Sequence, residues 1–381
     1  MRNKFLKTVA AFACVVLSGI CVFSGSAIAE VTNATNDAHT ESEADVIETV
    51  KPMKKSVIDI DNEKVKEFYE NDYSYIANFI GNGEQIRQKS VRLEWNAENA
   101  AYYEVSLSDN LTFKNSDKYV CVENTLDLND LKPNRNYYWK VKVTYEDGSQ
   151  KDSKVYSFTT KGHVRAISVE GVSNFRDLGG SVTVDGKILK YGMLFRSGKG
   201  EDITAKGKET IKRLGIKTDL DLRGPSEAGI VSPFGDDITV IAISGAYYAN
   251  SVHETSINGS EEYRNAFRDE LKACADESNY PMLFHCSLGR DRTGTLAFIL
   301  EALCGVEEET LIRNHMLSFM SVEGQRGAAN ENELILANVR GIYSFISSQS
   351  GKTLAKKTEN FVRQIGVTKE EIAAIRSILL G

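Results

Sequence analysis

The sequence predicts an all-β sandwich followed by an α/β layer fold, a central sheet flanked by helices. Three observations carry this. From about Ser90 to Phe158, apolar and polar residues alternate with period two in short runs separated by turn residues. From about His163, strand-like runs alternate with helical stretches. Within this second part, Pro281-Met282-Leu283-Phe284 leads into His285-Cys286-Ser287-Leu288-Gly289-Arg290-Asp291-Arg292-Thr293-Gly294, and then into an apolar helical stretch ending at Leu303. A strand, a tight turn and a helix N-terminus in that order make an anion site.

The first residues read as a leader. Arg2, Lys4 and Lys7 flank an apolar run from Val9 to Phe23, closed by Ala27-Ile28-Ala29 before Glu30. This pattern describes a secretory signal peptide cleaved after Ala29, and so a secreted or cell-envelope protein. The run is shorter than the roughly 20 residues a membrane span needs. Ile20 before Cys21 does not suit lipoprotein processing. Residues 30–85 read as a polar linker with a short N-terminal segment, rich in Thr, Asn, Asp and Glu up to Lys55, with a helix over Lys64 to Tyr69.

Residues 86–161 carry the sandwich. Strands are expected at Val91 to Trp95, Tyr103 to Leu107, Tyr137 to Val143 and Val155 to Phe158. Turn signals at Ser108-Asp109-Asn110, Pro133-Asn134 and Asp147-Gly148 separate them. Trp95 and Trp139 read as core residues, with a glycan or protein ligand as the alternative. Residues 164–381 carry the α/β part. Its strands are expected at 193–195, 218–222, 239–243 and 282–284, and its helices at 206–214, 262–275 and through much of the chain after Thr293. The stretch 320–350 departs from simple periodicity and marks a candidate lid.

The loop from His285 to Gly294 carries the chemistry. Backbone N–H groups in so short a turn converge as a nest, and the helix dipole adds positive charge there. Cysteines in such fields reach pKa values of roughly 3.5–7.5, against about 8.5 when free. The arrangement therefore favours Cys286 as a thiolate nucleophile with no separate base. Arg292 offers two parallel donors to phosphate oxygens. Ser287, Leu288, Gly289 and Arg290 line the bound anion, and Thr293 is placed to hydrogen-bond the sulfur. Together these point to phosphoryl transfer through a cysteine. His285 reads as a backbone-bonded neighbour that tunes the loop.

At these residues the chain resembles the cysteine-dependent tyrosine phosphatases, in the bacterial tyrosine/dual-specificity and phosphoinositide branch. Asn174-Phe175-Arg176-Asp177-Leu178-Gly179-Gly180, Leu194-Phe195-Arg196-Ser197-Gly198, Asp219 to Arg223 with Glu227, and Ile365 to Ile372 extend the resemblance over about Val169 to Gly381. It implies a tyrosine-phosphatase-like sheet and a phosphocysteine intermediate. The branch carries Lys where this chain has Arg290, and that Lys is associated with phosphoinositide acceptance. It offers an Asp inside the loop as general acid, here Asp291, with Asp221 at the same mouth as the second candidate. A carboxyl beside a phosphate dianion holds its proton more tightly. Asp177 and Arg176 are expected to stabilise the fold, as an ion pair, and Glu227 to orient Arg292. The segment before it resembles a fibronectin type III domain, with Trp95 on an early strand and Leu131-Lys132-Pro133 ahead of Tyr137 as its marks.

Loss of the leader takes the formal net charge from −7 to −10, which gives no support for nucleic-acid binding. Arg176, Arg196, Lys199, Arg223, Arg290 and Arg292 form the expected basic patch for an anionic substrate. The five histidines are scattered, so neither metal nor cofactor is expected. Cys121, Cys274, Cys286 and Cys304 remain after the leader, too few for a disulfide framework, with a Cys274–Cys304 pair left open. The function expected is a secreted protein-tyrosine/dual-specificity phosphatase acting on phosphorylated proteins. A phosphoinositide or inositol-phosphate phosphatase is the alternative. An adhesive protein with an inactive phosphatase fold is the alternative of a different class.

Overall fold

The computed structural model describes residues 47–97, 99–223, 227, 229–245 and 260–381. The expected leader and the first part of the polar linker lie outside these residues. The chain divides into two compact units, one of residues 47–58, 90–128 and 134–161, the other of residues 59–89, 129–133 and 162–381.

The first unit holds nine strands: β1 (Thr49–Lys51), β2 (Val57–Asp59), β3 (Val91–Trp95), β4 (Ala100–Ser108), β5 (Asp117–Cys121), β6 (Thr125–Leu128), β7 (Asn136–Tyr145), β8 (Gln150–Asp152) and β9 (Tyr156–Lys161). One sheet has the order β1-β3-β6, the other β2-β9-β7-β4-β5 with β8 on β7. Period-two alternation explains the core. In β3, Val91, Leu93 and Trp95 turn inward, while Arg92 turns outward and pairs with Asp127 of β6 through two bonds of 2.8 and 2.9 Å. Trp95 and Trp139 are both buried, with ring centroids 6.3 Å apart. Neither presents a face to a glycan, because both rings fill the core.

The second unit is built on a five-stranded sheet. Its elements are α1 (Glu63–Glu70), β10 (Arg176–Asp177), β11 (Leu194–Ser197), α2 (Ala205–Leu214), β12 (Thr218–Asp221), β13 (Thr239–Ala242), α3 (Glu261–Ala275), β14 (Met282–His285), α4 (Asp291–Cys304), α5 (Glu308–Met316), α6 (Asn332–Ser347), α7 (Leu354–Gln364) and α8 (Lys369–Leu379). The strand order is β10-β11-β14-β12-β13. β10 is antiparallel and the other four are parallel. Central β14 is buried along its length, as parallel strands covered on both faces are. Its alternation sorts the layers. Met282 and Phe284 join the cluster with Leu296, Phe298 and Ile299 of α4, while Leu283 joins the opposite one with Phe195 and Ile211. Helix α4 is buried on all sides from Arg292 to Cys304, which its apolar run Leu296 to Leu300 requires.

Two expectations need correction. Residues 30–85 are not a linker throughout. β1 and β2 belong to the two sheets, and residues 59–89 fold into the second unit. Strands of three residues are too short to show alternation. Val65, Phe68, Ile76, Phe79 and Ile86 are all buried there, but they are spread over a helix, a 3-10 turn (Tyr73–Phe79) and extended chain, so no single period reveals them. Asp177 pairs not with Arg176 but with Arg165, at 2.9 Å. Its carboxylate also accepts from the Gly179 and Gly192 amides at 2.8 and 2.7 Å. Cys274 and Cys304 remain separate buried thiols. Burial pushes the Cys304 thiol up to about 12.

Asp177→Ala removes the buried carboxylate that pairs with Arg165 Nη1 and accepts from two part-buried amides. It is expected to cost about 3–5 kcal/mol, read by chemical denaturation; a cost below 1 kcal/mol would show the cluster to be dispensable.

Candidate active site

β14 delivers the loop. Residues two apart on a strand share a face, so Cys286 continues the side of Met282 and Phe284, facing α4. Flanking β11 and β12 end in register with it, Ser197 and Asp221 both opposite His285. Cys286 therefore lies just beyond the carboxyl end of a parallel sheet, where ligands bind in such folds. It is 3 % exposed.

The next three carbonyls turn outward to protein donors. Ser287 O accepts from the Lys199 amide at 3.1 Å. The Asn174 side-chain amide donates to Leu288 O at 3.1 Å and Gly289 O at 3.0 Å. Arg196 Nη2 also donates to Gly289 O, at 2.8 Å. In a trans peptide the N–H points opposite to the C=O, so the amides of Leu288, Gly289 and Arg290 are turned the other way, toward the loop centre. Gly289 has φ 66°, and a Cβ there would stand 2.3 Å from Ser197 O. Only glycine fits.

Arg292, in the first turn of α4, donates through Nη1 to Leu222 O at 3.2 Å and through Nη2 to Ser287 Oγ at 3.4 Å. Glu227 Oε2 lies 3.6 Å from Nη1. Thr293 is fully buried, and its hydroxyl has no hydrogen-bond partner among the described residues, the Cys286 sulfur included. Asp291 Oδ1 accepts from Arg290 Nε at 3.0 Å. Arg290 also donates through Nη1 to Gly324 O at 2.9 Å and Arg326 O at 3.1 Å, and stacks over Phe319. It ties the loop to the 321–326 segment instead of standing as a spare cation.

Asp221 is committed elsewhere. Its carboxylate takes Arg223 Nε and Nη2 at 3.0 and 2.8 Å. Burial pushes the carboxyl up, but Arg223 and His285 outweigh this and hold it below its ordinary range. His285 faces the opposite layer, edge-on to Phe234, with Nε2 3.0 Å from Asp219 Oδ1. Burial lowers its pKa, and the Asp219 and Asp221 carboxylates reverse this to a net rise. The expected basic patch is not a surface. Arg176 and Arg196 are fully buried and bonded to Ser318 Oγ at 2.9 and 3.2 Å, and Arg223 pairs with Asp221 and Glu201.

Several supporting residues escaped the sequence reading. Glu301, in the last turn of α4, is buried, its Oε1 accepting from Ser181 Oγ at 2.9 Å and Asn314 Nδ2 at 2.6 Å. Burial pushes it up to about 7 despite those bonds and the nearby Arg196 and Arg176. Burial, then Arg196, Arg290 and Arg176, push buried His315 down to about 3, so its imidazole is neutral. Glu270 of α3 is buried, which drives its carboxyl well above the usual range against the pull of Arg292. Only buried acids inside apolar helices, such as Glu301 among Leu300, Ala302 and Leu303, hinted at this layer.

The loop thus brings a row of backbone amides, the Cys286 thiol and the Arg292 guanidinium together at one strand-to-helix turn. The tyrosine phosphatase family model matches residues 167–381, more than half of the chain, and the chain belongs to that family. It is 26% identical over 196 residues to a Cupriavidus necator protein assigned to the tyrosine-protein phosphatases, spanning 46% of this chain and 69% of that one. It is 25% identical over 274 residues to the triple specificity protein phosphatase PtpB of Mycobacterium tuberculosis, spanning 55% of this chain and 98% of that one. Among solved structures, the catalytic core of the PP-IP phosphatase Siw14 from S. cerevisiae is similar at 17% identity and a TM-score of 0.27, over 42% of this chain and 90% of that one.

The raised Glu301 has a definite sign. A carboxyl whose folded value, about 7, exceeds its ordinary 4.5 stabilises the fold fully below about pH 4.5 and loses that contribution as pH rises through 7. The stability of wild type relative to Glu301→Gln is expected to fall between pH 5 and 7 by up to about 1.4 kcal/mol per pH unit, and to level off above. Denaturation at four pH values reads it; a flat difference would contradict it.

Proposed function

We propose that this protein is a protein-tyrosine/dual-specificity phosphatase that works through a phosphocysteine on Cys286. One observation carries the reading: Ser287, Leu288 and Gly289 turn their carbonyls outward around Cys286, with Arg292 in the first turn of the helix it faces. The amides so directed, with Arg292, bind three phosphate oxygens. Cys286 Sγ attacks phosphorus, and the P–O bond to the leaving group breaks. Asp291 gives that oxygen its proton. Water then attacks the phosphocysteine, giving a proton to Asp291 as the S–P bond breaks and the Cys286 thiolate leaves; the Thr293 hydroxyl, which donates to no partner among the described residues, is the donor we assign to that sulfur. Asp221 is the weaker acid candidate, since Arg223 keeps it ionised.

The engagement of Arg290 with Asp291, Gly324 and Arg326 withdraws the loop cation on which the phosphoinositide alternative rested. Cysteine and arginine both in place speak against an inactive adhesive fold. We propose in addition that the first unit is a fibronectin type III-like sandwich, supported by its β1-β3-β6 sheet and its β9-β7-β4-β5 strand run, and that the chain is exported after cleavage at Ala29.

Purified protein is expected to hydrolyse p-nitrophenyl phosphate in excess chelator, and Cys286→Ser to lower kcat by about 10⁴ or more. Turnover that persists in Cys286→Ser would overturn the mechanism. Asp291→Asn is expected to lower kcat about 100-fold with phenyl phosphate and far less with p-nitrophenyl phosphate. Equal losses with both would remove Asp291 as the acid.

A further inference from the structure

Residues 59–89 lie outside the stretch matched by the family model, yet they belong to the catalytic unit. They form an arm that is firmly held. Ile76, Phe79 and Ile86 are buried in its core. Arg313 of α5 stacks over Phe68 and donates to Phe68 O at 2.8 Å and Asn71 O at 3.1 Å. The Ala77 amide donates to Asn332 Oδ1 at 2.7 Å, and the Gly81 amide to Gln325 Oε1 at 2.8 Å. Gly81 and Gly83, at φ 85° and 80°, adopt a turn that other residues resist. This turn brings Glu84 back toward the loop, and the Gln85 amide fixes it there by donating to Met320 O at 2.7 Å.

The Glu84 carboxylate takes three donors from two separate segments. Oε1 accepts from the Asn174 amide at 3.2 Å. Oε2 accepts from Ser173 Oγ at 2.8 Å and from the Val322 amide at 2.9 Å. Each segment in turn grips the phosphate loop. Asn174 holds Leu288 O and Gly289 O outward. The chain after Val322 supplies Gly324 O and Arg326 O to Arg290. Ser173 Oγ further joins the two by accepting from the Glu323 amide at 3.1 Å.

We infer that Glu84 is a positioning residue for the phosphate loop, its carboxylate locking together the two segments that hold the loop carbonyls and Arg290 in place. The inference rests on the phosphatase reading above. Glu84 does not touch the substrate; it acts through Asn174 and the 321–326 segment. A carboxylate suits the role because it only accepts. A glutamine of the same shape turns an NH2 group against at least one of the three donors.

The test uses the full chain, at a temperature well below the unfolding midpoint of each variant. Glu84→Gln is expected to lower kcat/KM for p-nitrophenyl phosphate roughly ten- to hundred-fold, the cost of misplacing catalytic groups by about an ångström. Inhibition by tungstate, which reports the convergence of the loop donors, is expected to weaken by a similar factor. Loss of stability alone would lower the melting temperature and leave the tungstate Ki unchanged. Glu63→Gln, exposed on the same arm where Glu63 pairs with Lys89, is expected to leave kcat/KM and Ki as in wild type. Should Glu84→Gln not fold, Ser173→Ala removes one of the three donors and is expected to move both parameters several-fold in the same direction. Wild-type kcat/KM and tungstate Ki in whichever variant folds would overturn the inference. Failure of the phosphatase reading looks different: wild type itself would lack turnover, or Cys286→Ser would retain it.

Discussion

The direction of three carbonyls governs the site. A peptide unit cannot satisfy an anion with its N–H while its C=O competes for the same space. The loop after β14 solves this by committing the carbonyls of Ser287, Leu288 and Gly289 to donors behind it: the Lys199 amide, Asn174 and Arg196. Much of the surrounding architecture serves those donors. β11 sets Arg196 beside the loop, and Gly289 admits the close approach to Ser197 O.

Buried charge is the consequence of this design. Arg196 reaches the loop from inside the protein and Arg176 holds Asn174 behind it, both where burial weakens a guanidinium's hold on its proton and brings Arg196 down to about 10. Glu301 and the neutral His315 lie near these arginines, and among the described residues no tight ion pair cancels them. They are held by oxygen acceptors instead: Asn174 O, Asn314 O, Ser318 Oγ and Gly289 O. Hydrogen bonding of this kind fixes geometry more sharply than long-range attraction does, and the cost of leaving any one donor unmatched is high.

Local pattern made part of this legible. The strands around Leu194, Thr218, Thr239 and Met282 and the helices at 205–214 and 261–275 fall where alternation and amphipathic spacing place them. Cys286 and Arg292 meet because they belong to one continuous strand-turn-helix. Contacts between distant segments were not legible. Arg290 reads as a loop cation until the carbonyls of Gly324 and Arg326 are seen to take it, and Asp177 reads as a partner of its neighbour Arg176 until Arg165 is folded against it. Glu84 carries no signal at all in its own neighbourhood, because its three donors lie about 90 and 240 residues further along.

The interleaving of the two units bears on how the chain folds. Residues 59–89 are separated from most of their own unit by residues 90–128 and 134–161 of the first, and the bond from Ala77 to Asn332 closes a separation of 255 residues. During synthesis, Phe68, Ile76 and Phe79 emerge long before α5 and α6 exist to cover them. The entropy of closing so large a loop grows only logarithmically with its length, so the finished state tolerates the arrangement. The rate does not share that tolerance, since distant pairings form late. Until α5 and α6 have been made, a nascent chain carries the apolar side chains of residues 59–89 without those native partners.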